Sequence, residues 1–108
     1  VNYKYMDADK LAEKIIKVLK TVYDPEIPVD IYELGLIYDV LVNDNSEVKI
    51  IMTLTTPNCP VADSLPKEVE DKVKLLSEVS DAKVELTFEP PWTRDLMSEE
   101  AKLELGFL

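Results

Sequence analysis

Two alternating runs, Leu36 to Val42 and Val48 to Leu54, flank four polar residues, Asn43-Asp44-Asn45-Ser46. Apolar residues at every second position mark a strand with one face toward a core. A loop this short and polar between two such runs implies an antiparallel hairpin. The second strand delivers the chain to Thr55, Thr56 and Cys59.

The hairpin sits among helical stretches. Apolar residues recur at Ala8, Leu11, Ala12, Ile15, Ile16, Leu19 and Val22, with Lys10, Lys14, Lys17 and Lys20 on the wet side. That spacing predicts a helix, which Asp7 or Asp9 can cap. Tyr23-Asp24-Pro25-Glu26-Ile27-Pro28 ends it, because two prolines three apart prevent continuation. Val29 to Leu34 fits one helical turn, with Gly35 as a left-handed terminator.

Beyond Pro60, Leu65, Val69, Val73 and Leu76 mark the inward face of a second helix. Pro66 implies a kink there, or a short first turn before a longer helix restarts near it. Val84, Leu86 and Phe88 mark a third strand, and Ser98 caps a last helix that Gly106 closes. The order is α-β-β-α-β-α, a single-domain two-layer α/β sandwich on a small, mixed three-stranded sheet. A right-handed crossover through the middle helix lays the third strand parallel to the second.

Composition closes several doors. The chain has 108 residues, enough for one domain with a modest core. A formal net charge of −10 disfavours nucleic acid and anionic membrane, which call for basic patches. No apolar run reaches the length of a membrane span. With no histidine there is no Ser-His-Asp or Cys-His dyad and no HExxH zinc site. A single cysteine excludes an intrachain disulfide and suits a reducing cytoplasm.

That cysteine, Cys59, lies between Asn58 and Pro60 at what reads as a helix entrance. Unpaired N–H groups and the positive end of the helix dipole favour thiolate over thiol there. Cys59 is therefore expected to be exposed, with a lowered pKa, rather than buried as a small hydrophobe. Three proline-stiffened polar loops punctuate the chain: Asp24-Pro25-Glu26, Thr55 to Pro60, and Pro90 to Asp95. The last two follow strands two and three, and parallel strands would bring both exits to one sheet edge, where open α/β sheets place ligands. Asp24 or Glu26 is expected within reach of Cys59. Trp92 reads more readily as a partly buried anchor than as a ligand platform.

Four stretches, in order, carry a resemblance: Asp24-Pro25-Glu26-Ile27-Pro28, Leu34-Gly35-Leu36-Ile37-Tyr38-Asp39, Met52 through Pro60, and Pro90-Pro91-Trp92-Thr93. Together they resemble the domain-of-unknown-function fifty-nine family, which includes SufT-like and PaaD-like proteins. The resemblance runs from about Asp9 to Gly106. It implies an iron–sulfur-assembly-type α/β fold and a non-enzymatic role, as an accessory or carrier factor, in building and delivering clusters. By motif match it implies a site of Asp24, Glu26, Thr55, Thr56 and Cys59, with assembly proteins and client apoproteins as partners.

One thiolate cannot hold a cluster, which usually needs four protein ligands. Either chains share a cluster, as in a homodimer with Cys59 as a shared ligand, or external thiols complete it, or Cys59 contacts a partner and binds no metal. Any bound cluster is thus expected to be transient. Two other readings stay open. In one, Cys59 is the nucleophile of a small thiol enzyme, with Asp24 or Glu26 as proton acceptor. In the other, the chain is an accessory subunit of a multicomponent oxygenase.

Overall fold

The computed structural model describes residues 8–24, 27–55 and 64–106. Its elements follow the order α1 (Ala8–Leu19), β1 (Ile37–Val42), β2 (Glu47–Met52), α2 (Ser64–Lys74), β3 (Asp81–Leu86), a 3₁₀ turn (Arg94–Leu96) and α3 (Glu99–Glu104). The strands form one sheet in the order β1-β2-β3, antiparallel between β1 and β2 and parallel between β2 and β3. The α/β sandwich with a mixed three-stranded sheet is as the periodicities predict.

Helix α1 buries Leu11, Ile15 and Leu19, one residue per turn, against the sheet. It is shorter than its apolar period. The Thr21 amide and hydroxyl both donate to the Val18 carbonyl, at 2.9 and 2.6 Å, and the Val22 amide donates to Leu19. The ladder thus tightens from i−4 to i−3 bonding and stops. Val22 stays fully buried, which is why the pattern runs past the helix.

Asn43 builds the hairpin turn. Its side-chain oxygen accepts from the amides of Asn45 and Glu47, both at 2.9 Å, and its Nδ2 donates to the Glu47 carboxylate at 2.7 Å. The buried asparagine therefore serves groups that a tight turn leaves without ladder partners. Val42, Val48, Ile50, Met52 and Ala82 face the helices and close the core with Val69 and Val73 of α2.

Helix α2 begins at Ser64, which puts Pro66 at its third residue. A first-turn residue has no intrahelical N–H partner, so proline loses no bond there and no interior kink arises. The stretch from Pro60 to Asp63 lies outside the described residues. Farther along α2, Lys67 donates to Asp71 at 3.0 Å, and that bond raises the pKa of the exposed lysine.

Carboxylates shield both sheet edges. Glu70 reaches from α2 to accept the Val84 amide of β3 at 2.9 Å, and Asp81 accepts from Ala82. On the opposite edge Asp39 accepts from Val40. Such groups occupy donors that another chain's strand would otherwise seek.

Ser98 caps α3, its hydroxyl accepting from the Ala101 amide at 3.1 Å. Ser98→Ala is expected to cost about 1 kcal/mol, read as a lower urea midpoint with an unchanged slope. An unmoved midpoint would show that α3 gains nothing from the cap. Among the described residues, no helix is long and apolar enough to cross a membrane.

Candidate functional site

The parallel pairing of β2 and β3 brings their C-terminal ends to one sheet edge, where β1 also begins. Pairing continues just past the strands, with the Thr53 amide donating to the Leu36 carbonyl at 2.8 Å and the Thr87 amide to Met52 at 2.9 Å. Thr53 and Leu54 are buried, while Thr55 is half-exposed. The chain thus leaves β2 through the core and reaches the surface at Thr55, one of the residues expected in the site. Thr56 and Cys59 lie outside the described residues, as does Glu26.

Asp24 is 4% exposed, an unusual depth for a carboxylate. Its Oδ1 accepts from the Ile27 amide at 3.1 Å, and its own amide donates to the Val29 carbonyl at 3.4 Å. A buried carboxylate needs such a donor, and the two bonds together tie Asp24 to Ile27 and Val29. Asp24 lies past the end of α1, so it organises this loop rather than terminating the helix. Tyr23 and Asp30 bridge across the loop.

Three backbone bonds connect this loop to the end of β2. The Ile31 amide donates to Val22, the Leu36 amide to Ile31, and the Thr53 amide to Leu36. The Asp24 loop and the Thr55 exit are therefore linked through residues 31–36, of which Ile31, Leu34 and Leu36 are buried. Between them Asp30 nucleates the turn that Val29 to Leu34 suggested. Its Oδ2 accepts from the amides of Tyr32 and Glu33 at 3.1 and 3.0 Å. Gly35 ends the turn at φ +80°, the left-handed conformation its position called for.

The proline-rich segment after β3 is lashed across the same turn. Trp92 is half-buried against the core, and its Nε1 donates to the Leu34 carbonyl at 2.7 Å. This is the anchor role expected of it. The Tyr38 hydroxyl donates to the Pro90 carbonyl at 2.7 Å, and the Ser98 amide to the Glu33 carbonyl at 2.8 Å.

Sequence reasoning missed Asp30 and Tyr38 as organisers. Asp30 carried a usable signal, a capping residue five positions before a glycine. Tyr38 carried none, since its partner is 52 residues away and a register shift between Ile37 and Asp39 sets it apart from the ladder.

Chemically, the described part of the site offers one buried carboxylate, a threonine at a strand exit and a hydrogen-bonded frame. Among the described residues no group of three or more Asp, Glu, Cys or His is placed to hold a metal ion. The whole chain holds one cysteine and no histidine. That donor set does not fit a resident cluster held by one chain.

Residues 12–86 match a family model described as iron-sulfur cluster assembly protein. The chain is 56% identical, over 89% of its length and 91% of the relative's, to an Fe-S protein maturation auxiliary factor of Porphyromonas gingivalis. It is 45% identical to the Fe-S protein maturation auxiliary factor YitW of Bacillus subtilis, over 91% of this chain and 96% of that one. In structure it resembles a DUF59 domain of unknown function from Bacillus anthracis. The TM-score is 0.89 at 35% identity, over 97% of this chain and all of the other.

Proposed function

Because this chain belongs to the iron-sulfur cluster assembly protein family, we infer that it acts as an accessory factor in the maturation of iron–sulfur proteins. The observation that carries this is similarity over 89% of the chain, at 56% identity, to a protein named as such a factor. Its partners on this reading are assembly proteins and client apoproteins. Its work is done in the cytoplasm and without turnover of a small substrate.

The site supports a handling role rather than storage. A cluster is cargo here, held transiently, because one thiolate per chain leaves most of the usual four ligand positions to other molecules. Two chains, external thiols or a partner's ligands supply the rest. Cys59 is the soft donor that suits iron in a cluster, and Asp24 and Glu26 are hard oxygen donors that suit it less well. We assign Asp24 to framing its own loop, on the strength of its burial and its bond to Ile27.

The test is genetic. A strain lacking this chain is expected to lose activity of iron–sulfur enzymes under iron limitation or oxidative stress, and to recover it when the chain is restored. Enzymes without clusters serve as the control. Full cluster-enzyme activity in the deletion strain under both stresses overturns the assignment.

A further inference from the structure

The sheet face turned away from α1 and α2 carries its charges in bands. Strand alternation puts Asp39 and Leu41 of β1, Glu47, Lys49 and Ile51 of β2, and Asp81, Lys83 and Glu85 of β3 on this side. The register aligns them across the strands. Glu47 lies beside Asp81, Lys49 between Leu41 and Lys83, and Ile51 between Asp39 and Glu85. From one end to the other the face therefore reads acidic, basic, acidic, with successive bands about 7 Å apart.

This pattern works against the isolated sheet. Lys49 and Lys83 are neighbours across β2 and β3, as are Glu47 and Asp81, and like charges side by side destabilise a strand pair. Lys49 finds relief diagonally in Glu85 at 3.5 Å, and Asp81 in Lys74 at 3.6 Å. Lys83 is exposed and makes no ion pair with any described residue. Leu41 and Ile51 are half-buried on the same side. A groove lined in part by Glu47, Lys49, Asp81, Lys83 and Glu85 runs beside these side chains and reaches Val48 and Val84 as well.

We propose that this face pairs with the same face of a second copy of the chain, strands antiparallel, each lysine band resting on the other copy's Asp39–Glu85 band. A twofold contact brings identical patches together, so the patch must complement itself. With the axis running across the strands, between the lysine band and the Asp39–Glu85 band, unlike bands meet twice. With the axis along the strands, like bands meet, and the charges exclude that arrangement. Stacked sheets lie about 10 Å apart, a gap that long lysine side chains can bridge while Leu41 and Ile51 fill the space between.

The interface is small. Three strands about 4.8 Å apart and six residues long cover about 300 Å² per copy, against about 800 Å² in a stable complex. The dimer is consequently weak and sensitive to salt. It would supply two thiols per assembly, yet it rests on the charge pattern alone, so its failure leaves the maturation role untouched.

Equilibrium sedimentation over a concentration series tests it. At ~0.15 M salt the Debye length of about 8 Å screens the mutual repulsion of two acidic chains but spares ion pairs in contact; at ~1 M salt it is about 3 Å. The weight-average mass is expected to rise toward the dimer with concentration in the first condition and much less in the second. Lys83→Glu is expected to weaken association about tenfold or more, while Lys10→Glu on α1, with the same change in net charge, leaves it unmoved. The exchange Lys83→Glu with Glu85→Lys re-forms the cross-copy pair and is expected to restore it. A chain that stays monomeric throughout, equal weakening by Lys83→Glu and Lys10→Glu, or no recovery in the exchanged variant overturns the proposal.

Discussion

Gly35→Ala is expected to destabilise the fold by about 2–5 kcal/mol, the sum of a left-handed backbone penalty of about 1–2 and an overpacking cost of about 1–3. A Cβ at this position would lie 2.2 Å from the Leu96 carbonyl oxygen and 2.7 Å from its carbon. Those are backbone atoms of a segment pinned on both sides, by Trp92 on Leu34 and by the Ser98 amide on Glu33. The overlap can be relieved only by lifting that segment off the turn. Gly106 is the internal control. It has a similar φ of +83°, but its added Cβ would meet nothing within 4 Å. Gly106→Ala should therefore cost only the backbone penalty of about 1–2 kcal/mol. Urea denaturation of both variants measures the difference, and equal losses would show that the contact with Leu96 contributes nothing to stability.

The largest functional effect is expected from Cys59→Ser, which should fail to restore iron–sulfur enzyme activity in a strain lacking the chain. Serine keeps the size of the side chain and removes its soft, readily ionised donor. The urea midpoint of the variant should match that of the parent, separating loss of chemistry from loss of fold. Alkylation of the native protein as a function of pH tests the same residue independently. A thiol that ionises more readily than a free cysteine should react quickly at neutral pH, and one that reacts only after denaturation would return Cys59 to the role of a buried hydrophobe. Full rescue by Cys59→Ser would discard the thiol as the agent and leave the maturation role standing on other groups.

Similarity to solved structures agrees with the fold that local chemistry indicated, and similarity to maturation factors agrees with what the family resemblance implied. Helix α1 was legible because Leu11, Ile15 and Leu19 return to one face every turn, although its end was not. Thr21 shows why boundaries slip. Its hydroxyl competes for a backbone carbonyl and shortens the helix without disturbing its apolar pattern. Strand β3 ends at Leu86, and Phe88 continues the alternation beyond the ladder, partly exposed.

The site divides in the same way. The chain's own residues marked a hairpin, three proline-containing polar stretches, a lone cysteine without histidine, and two glycines where the backbone turns left-handed. These are consequences of neighbours within a few positions, where sterics, capping and periodicity act directly. Tertiary structure alone decided that Asp24 is buried and bound to its own loop, that Trp92 and Tyr38 bind the final segment to the turn at Gly35, and that the lysines of β2 and β3 align into one band. Each of these depends on strand register or on a contact between residues far apart in the chain. Such contacts are settled by the collective packing of the core, and no local spacing encodes them.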